Sequence, residues 1–506
     1  MDIVDLPIAT GEALLLQLLP LGETRRLEFK RVSREMVGKA LKTICAFANT
    51  DGGSLVLGFA DLKEFQGTDR IFGVEENPEA VDELQRKLLT ELVPGVEGLR
   101  LQRLACTLRN GPTQGRQGHV LVLHVPRSAH VHSVANGGTY TRLDAGNRIM
   151  SAREVTELSY RRGERSATSE TVAVPLARLQ THAWQRFASS RGPLTGSFAD
   201  QLLRIGLADE VGNTVQPRRA AVLLFAEEPG SLLVAFDSRA DVRVLVYDGK
   251  HVASGATPNL RKPAKTARGP LIDQIDAAVK IVLDELADGL TLSSSGFKTK
   301  HAYPERVVKE AIVNAIVHRD YRLNRDIFVR IFDDRIEVES PGVLPGNITP
   351  ATIAKAGSRA RNPLIASNLR EFSVPPNIDA GEGVRMMFAE MSQAELYPPQ
   401  YRQGTESEVE TLTVTLLNAS RPSTWDLVND WLDRHGTIAN ADLVRMAGVD
   451  TLKASKQLTA WRDQGLLVPV PGRAKRNMAY MKPDGSEGEP PLLSALGDNN
   501  GATEEK

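Results

Sequence analysis

The sequence predicts a multidomain protein of the α+β class. Its 506 residues are too many for one hydrophobic core, since a domain usually holds about 100–200 residues. Segments with a helical period of apolar residues alternate with segments of period two, and turns that contain glycine or proline separate them. We expect four folded units and a disordered polar tail, which the patterns place at residues 1–165, 171–300, 301–420, 423–482 and 483–506.

Composition excludes several classes of protein. Hydrophobic residues make up 41% of the chain and charged residues 25%, and 62 basic residues nearly balance 63 acidic ones, as in an ordinary globular protein. Only Cys45 and Cys106 occur, which excludes a disulfide framework and an all-cysteine zinc site. The sequence shows no apolar run of bilayer length and no secretory pattern at its start. We therefore expect a cytoplasmic protein without a membrane segment.

The first unit, residues 1–165, has the pattern of an α/β domain. A short helix at residues 8–19 precedes a strand with the sequence Glu28-Phe-Lys30. A second helix ends near Asn49, where a double glycine turns the chain into another strand.

Four motifs of this unit occur together in a known family. They are Glu28-Phe-Lys30, Ala46-Phe-Ala-Asn49-x-x-Gly52-Gly53, Gly58-x-x-Asp61 and Gly138-Thr-Tyr140-x-Arg142. With them, roughly residues 10–160 resemble the Schlafen AlbA-2 domain. The resemblance implies nucleic-acid binding and, for some members, a metal-dependent ribonuclease site built from carboxylates.

The resemblance assigns candidate roles to four side chains. Glu23, Glu28 and Asp61 fall where carboxylates would hold a divalent cation that activates water against a phosphodiester. Lys30 would face the phosphate. The alternative is a plain ion pair, because Glu28 and Lys30 lie on one face of a strand. In that case the unit binds nucleic acid or a protein without cutting it.

Residues 171–300 have the pattern of an α/β scaffold and carry no convincing site. We expect helices over residues 175–207, strands near 218–229 and 240–247, and an amphipathic helix over 272–286. The sequence has no Walker-type phosphate loop, which argues against a conventional helicase motor.

One helix of the third unit, residues 301–420, is polar on a face that would be apolar in a core helix. Glu310, Asn314 and His318 follow at intervals of four residues, so they share that face. The amide oxygen of such an asparagine can hold a hydrated Mg²⁺ while the glutamate orients a water, as nucleotide hydrolysis requires. The alternative for this helix alone is a capped, half-exposed amphipathic helix.

A distinctive order of elements follows this helix. A β-hairpin spans residues 327–340, a Pro341-Gly342 turn comes next, and then Arg361-Asn362-Pro363 and a Gly381-x-Gly383 pair that opens a helix. In this order the segment resembles the degenerate GHKL-type ATPase module, an α/β sandwich. That module occurs beside AlbA-2 domains in transcriptional regulators and is often labelled RecG-like.

The resemblance assigns ATP- and Mg²⁺-binding roles as follows: Glu310 as general base, Asn314 as Mg²⁺ ligand, Gly381 and Gly383 near the phosphates, and Gly342 and Ser340 beside the adenine. Ser340 departs from the family pattern, because typical members of the wider superfamily read the adenine amino group with an aspartate. A serine hydroxyl can accept a hydrogen bond but carries no charge.

Residues 423–482 have the pattern of three helices, over 424–435, 440–447 and 451–464, and a hairpin with a basic turn. This is the plan of a winged helix, whose third helix enters the major groove of DNA while the wing holds phosphate. The candidate contacts are the helix lysines Lys453 and Lys456 and the wing residues Arg473, Lys475 and Arg476. The alternative is a winged helix that contacts protein, since its third helix carries Asp463.

Together these units predict an oligomeric regulator that binds ATP with Mg²⁺ and binds nucleic acid, with DNA preferred to RNA. Nucleotide would change the arrangement of the nucleic-acid-binding ends, so the ATPase module would act as a switch. The first alternative is a Schlafen-like nuclease that serves in defence against foreign nucleic acid. The second is an interaction scaffold in which both catalytic sites are inactive.

Overall fold

A computed structural model describes these residues: 8–9, 12–192, 194–253, 258–293, 296–301, 303–357, 359–376, 381–406, 408–422, 424–471, 473 and 478–483. The predicted wing residues Lys475 and Arg476, and the predicted tail from residue 484 onward, lie outside them. The described residues divide between Glu164 and Arg165 into two compact units, which we call the N-terminal and the C-terminal unit. The protein is therefore a mixed α+β multidomain protein, as its sequence predicted.

The N-terminal unit contains strands and helices in alternation. Its strands are β1 (Ile8–Ala9), β2 (Leu27–Lys30), β3 (Gly53–Leu57), β4 (Leu92–Val93), β5 (Arg100–Thr107), β6 (Gln117–Val125), β7 (Ser133–Val134), β8 (Tyr140–Leu143) and β9 (Gly146–Ile149). Its α-helices are α1 (Glu12–Leu18), α2 (Met36–Asn49), α3 (Pro78–Thr90) and α4 (Ala152–Arg162). Five of the strands form one mixed sheet in the order β1-β5-β6-β3-β2.

The helix-to-strand motif of this unit is explained by one asparagine and two glycines. Asn49, at the end of α2, donates through Nδ2 to the carbonyls of His132 at 2.8 Å and Tyr140 at 2.9 Å. Gly52 has a φ of +75°, and a Cβ there would lie 2.8 Å from the Val125 carbonyl oxygen. Glycine is required at this turn because a side chain would meet both strain and backbone. The predicted strand and helix end are thus confirmed.

The C-terminal unit is larger. Its strands are β10 (Ala208–Val211), β11 (Thr214–Pro217), β12 (Val242–Val246), β13 (Lys265–Ala267), β14 (Ala287–Ser293), β15 (Gly296–His301), β16 (Ile327–Ile331), β17 (Arg335–Pro341), β18 (Gln400–Glu406), β19 (Val409–Leu417), β20 (Ile438–Ala439), β21 (Val468–Pro469) and β22 (Ala479–Met481). Its α-helices are α5 (His182–Arg191), α6 (Phe198–Arg204), α7 (Arg219–Phe225), α8 (Pro229–Leu233), α9 (Leu271–Glu285), α10 (Glu305–Val317), α11 (Pro363–Leu369), α12 (Gly383–Gln393), α13 (Thr424–His435), α14 (Asn440–Ala447) and α15 (Thr451–Asp463).

A six-stranded sheet with the order β13-β12-β16-β17-β19-β18 organises most of this unit. Strands β12 and β16 pair in parallel, while β16, β17, β19 and β18 pair antiparallel. Helix α10 packs against α9, α12 and β17, and all four contribute to one large apolar core. The predicted hairpin is confirmed as β16 and β17, and the predicted polar-faced helix as α10.

The strand predicted near residues 218–229 is wrong. This segment forms helix α7, followed by the short helix α8, and every residue of α7 is buried. A short apolar run that is buried on all sides has no polar face, so its period cannot distinguish a helix from a strand.

The last part of the C-terminal unit, residues 424–482, forms what we call the C-terminal subdomain. Helices α13, α14 and α15 confirm the three predicted helices, and β20, β22 and β21 pair antiparallel in that order. The core of this subdomain contains Trp425, Val428, Leu432, Leu443, Leu458 and Trp461, together with Tyr397 and Leu417 from outside it.

Among the described helices, none combines the length and the apolar character needed to cross a lipid bilayer.

Candidate functional site

A cavity of about 490 Å³ lies beside the polar face of α10. The residues predicted to contact ATP all line it: Glu310, Asn314, Ser340, Gly342, Gly381 and Gly383. They come from α10, from the end of β17 and from the start of α12, so the fold brings together positions far apart in the chain. The volume is in the range of about 300–1,000 Å³ that is usual for small-molecule sites.

Glu310 and Asn314 form one polar unit on α10. Asn314 Nδ2 donates to Glu310 Oε1 at 2.9 Å, which leaves the amide oxygen of Asn314 for a cation. Burial raises the pKa of Glu310, and the hydrogen bond from Asn314 partly offsets that rise. A carboxylate with a raised pKa is a stronger proton acceptor in its ionised form than an ordinary carboxylate.

The start of α12 packs directly on Glu310. A Cβ atom on Gly383 would lie 1.8 Å from Glu310 Oε1, so a side chain fits there only if the carboxylate moves. The first amides of a helix lack intrahelical partners, and this helix start therefore offers hydrogen-bond donors beside the cavity. Glycine at position 383 thus allows α12 to pack on Glu310, and the helix start also presents backbone amides to the cavity.

Ser340 and Gly342 line the cavity from the end of β17. Ser340 Oγ donates to the Ala315 carbonyl at 2.8 Å, so its hydroxyl can act toward a ligand only as an acceptor. An acceptor of this kind can bind the amino group of a ligand. Gly342 has a φ of +103°, and a Cβ there would lie 2.9 Å from Asp320 Cβ, so glycine is required.

Further cavity residues were missed in the sequence because they belong to no recognisable motif. The apolar ones include Leu344, Ile348, Ile353, Met387, Leu412 and Val414. The basic ones are Arg306, Lys309, Arg359 and Arg385. Apolar side chains suit a nucleobase, and basic side chains suit a triphosphate.

The Arg361-Asn362-Pro363 motif contacts the C-terminal end of α10. Asn362 Nδ2 donates to the carbonyls of Val317 at 2.8 Å and Arg319 at 2.7 Å, and Arg361 Nε donates to the His318 carbonyl at 3.1 Å. Carbonyls at a helix end lack intrahelical partners. These two side chains therefore fix the end of the helix that carries Glu310.

In the N-terminal unit, three of the four predicted side chains lie together. Lys30 Nζ pairs with Glu28 and lies 3.3 Å from Glu23 Oε1. Glu28 also pairs with Arg142, whose side chain is fully buried. Burial, and after it the charge of Glu28, raises the pKa of Glu23. The sequence showed Arg142 as part of a motif but not as the partner of Glu28.

Asp61 makes a local contact, since its Oδ1 accepts from the Lys63 amide at 3.4 Å. Over the part of the chain that the structure describes, no group of three or more histidine, cysteine or acidic side chains is placed to hold a metal ion. In the structure, Glu28 forms two ion pairs, one with Lys30 and one with Arg142. The metal-binding roles of Glu23, Glu28 and Asp61 stay predictions.

Three of the five predicted nucleic-acid contacts of the C-terminal subdomain lie among the described residues, and these three are accessible. Lys453 and Lys456 are exposed on α15, and Arg473 is exposed beyond β21. On the opposite side of α15, Leu458 and Trp461 are buried in the subdomain core.

The comparisons with known proteins identify two classes of domain. Residues 23–151 match the sequence model of the family described as "Schlafen, AlbA_2". Residues 324–416 match the family described as "Putative ATP-dependent DNA helicase recG C-terminal", a GHKL-type ATPase class. The chain therefore carries an AlbA-2 domain and a RecG-like GHKL-type domain, as its motifs predicted. The second match covers Ser340, Gly342, Gly381 and Gly383 but begins after α10.

No curated protein matches the chain. Among solved structures, the chain is similar to the DIP2311 protein from Corynebacterium diphtheriae, with 19% identity over 93% of this chain and 96% of that one. The TM-score is 0.39, which is too low to support a conclusion about fold or function.

Replacing Gly383 by alanine should weaken ATP binding, because the added methyl must displace the Glu310 carboxylate. We expect the Kd of labelled ATP with Mg²⁺, measured by equilibrium dialysis, to rise about tenfold or more, which corresponds to about 1.4 kcal/mol. Gly357→Ala is the matched control, because Gly357 lines the same cavity and has open space for a Cβ. Equal losses in the two variants would contradict the packing role of Gly383.

Glu28→Ala should destabilise the protein, because it leaves the Arg142 guanidinium buried without its carboxylate. Removing one partner of a buried pair costs about 3–5 kcal/mol. Urea unfolding should therefore show a clear loss for the N-terminal unit. Asp51→Ala, which removes an exposed 2.7 Å pair with Arg25, should cost about 0–1 kcal/mol and is the control. If both variants unfolded at the same urea concentration, the structural role of Glu28 would be wrong.

Proposed function

We propose that this protein is an ATP-binding regulator of nucleic-acid processes, in which nucleotide changes the arrangement of the nucleic-acid-binding domains. The observation that carries the proposal is the single cavity that joins Glu310, Asn314, Gly342 and Gly381. The matches to the AlbA-2 and RecG-like domain families support it.

The side chains around the cavity fit ATP with Mg²⁺. Asn314 would hold the cation through its amide oxygen, and Mg²⁺ when bound supplies positive charge against the phosphates. Glu310 would accept the proton of an attacking water, and Lys309 and Arg385 would contact the triphosphate. Ser340 would accept a hydrogen bond from the adenine amino group. Because it carries no charge, we expect it to hold adenine less firmly than an aspartate would.

The nucleotide would act as a switch. The sequence contains no Walker-type loop and hence no helicase motor of that kind, so slow ATP hydrolysis would reset a conformation rather than move DNA. A ligand shifts such an equilibrium only by its difference in affinity for the two states. The polar unit of Glu310 and Asn314, beside the start of α12, is where that difference would arise.

We assign the C-terminal subdomain as a DNA-binding winged helix, with α15 as the recognition helix. Its exposed side carries Lys453 and Lys456, and its buried side is anchored by Trp461. The AlbA-2 domain would supply a second contact with nucleic acid, either DNA or RNA. The nuclease alternative has less support, because Glu28 already pairs with Lys30 and Arg142 and would have to give up both to bind a metal.

Hydrolysis of ATP should increase with pH through the raised pKa of Glu310. The sign follows from its role, because a general base accepts a proton only when it is ionised, which requires a pH above its pKa. Glu310→Gln should lower the turnover by about 10²–10⁴-fold and remove this pH dependence. Labelled ATP should still bind, because glutamine keeps the shape and the hydrogen bond with Asn314. Phosphate release by the variant at the wild-type rate, with the same pH profile, would rule out Glu310 as the base.

The double variant Lys453→Ala/Lys456→Ala should bind duplex DNA more weakly and with less dependence on salt. Each lost phosphate contact removes about 0.9 from the slope of log K against log salt, so we expect a decrease of about 1.8. Fluorescence anisotropy at several salt concentrations measures both quantities. Lys250→Ala/Lys280→Ala removes the same charge from exposed positions elsewhere in the unit and is the control. Identical slopes for the two double variants would contradict the assignment of α15.

A further inference from the structure

We infer that helix α12 is a rigid connector through which a ligand in the cavity sets the position of α15. The inference rests on the proposed function and deepens it, since it gives the route from the nucleotide site to the helix that contacts nucleic acid. One end of α12 lies on Glu310, and the residues just after its other end enter the core of the C-terminal subdomain.

At the cavity, α12 is tied to α10 by three kinds of contact. Gly383 lies so close to the Glu310 carboxylate that neither can move without the other. Arg306 of α10 pairs with Glu390 of α12 at 2.8 Å. Met387 and Met391 are fully buried in the common core. A ligand that displaces Glu310 or contacts the first turn of α12 therefore acts on the whole helix.

Beyond its last residue, the short segment that joins α12 to β18 contacts the core of the C-terminal subdomain. Tyr397 is buried there, and its hydroxyl accepts a hydrogen bond of 2.9 Å from Trp461 Nε1. Trp461 belongs to α15, the helix that also carries Lys453 and Lys456. Trp425 packs edge-on against both rings, with centroids 5.6 Å from Tyr397 and 5.1 Å from Trp461.

Arg421 provides a second tie between α12 and the subdomain. Its backbone amide donates to the Glu395 carbonyl at 2.7 Å, and its guanidinium donates to Ser392 Oγ at 3.2 Å. The same guanidinium pairs with Asp426 of α13 at 3.1 Å. The end of α12 and the start of α13 are therefore held by one side chain, independently of the aromatic contacts.

Together these contacts connect the cavity to α15 through α12. The eleven residues of α12 form a rod of about 16 Å, and helices transmit small shifts because their packed interfaces switch between discrete arrangements. A flexible linker would let the subdomain move independently of the cavity. Here the junction is buried and hydrogen-bonded, so a shift of α12 must either carry α15 with it or break the bond between Tyr397 and Trp461.

The test is a linkage measurement on the full chain. The Kd for duplex DNA is measured by anisotropy with and without a non-hydrolysable ATP analogue and Mg²⁺, and the ratio of the two values gives the coupling. For the wild type we expect a ratio that differs from one by about 5–150-fold. Tyr397→Phe keeps the ring and loses only the hydrogen bond to Trp461. The ratio should therefore move several-fold closer to one, while the analogue binds as before. Tyr480→Phe removes a hydroxyl elsewhere in the same core and should keep the wild-type ratio.

Arg421→Ala is the second variant, because it removes the guanidinium contacts with Ser392 and Asp426 without changing an aromatic core residue. This variant should also bring the ratio closer to one. Circular dichroism checks that each variant is folded. A wild-type ratio in both variants would overturn the route through α12 and leave the proposed function in place. A wild type that binds both ligands with a ratio of one would overturn both the route through α12 and the proposed switch, but would leave the binding of nucleotide and DNA in place. Failure of the wild type to bind the analogue at all would instead reject the proposed function, and the inference with it.

Discussion

The contact between Gly383 and the Glu310 carboxylate is the constraint on which the candidate site depends. Because Gly383 has no side chain, α12 can approach α10 closely enough to form one wall of the cavity. The approach also places the helix start over the carboxylate and adds to the burial that raises the pKa of Glu310. The shape of the cavity and the raised pKa of Glu310 are therefore both connected with this close approach.

Local patterns predicted the parts of the fold that local physics determines. The polar face of α10 and the hairpin of β16 and β17 were predicted correctly, because their periods are visible in the sequence. Helix α7 was missed since it is buried on every side. Partners distant in the chain were also missed: Glu28 meets Arg142 across 114 positions, and no short-range signal pairs them. The six residues predicted to contact ATP were found only because their motifs occur in a recognisable order, whereas the basic cavity residues have no motif.

Three asparagines in the motifs differ in what they bind, and the difference separates structural from functional roles. Asn49 and Asn362 each donate to two backbone carbonyls and so hold segments of chain together. Asn314 donates instead to the side chain of Glu310 and faces the cavity. An amide that serves the backbone supports the fold, whereas one that orients a carboxylate in a cavity is available to a ligand.

The electrostatics of two glutamates, the buried Glu28 and the half-buried Glu310, lead to the same distinction. Glu28 is compensated by the cations of Lys30 and Arg142, so its burial is consistent with a stable ion-pair network. The hydrogen-bond partner of Glu310 is a neutral amide, and burial without a directly bonded cation disfavours its ionised form. A cation or a polarised water in the cavity would relieve that cost, and the ligand-binding state would then be the one in which Glu310 is best stabilised. The proposed chemistry therefore has more support in the cavity beside α10 than at the carboxylates of the N-terminal unit.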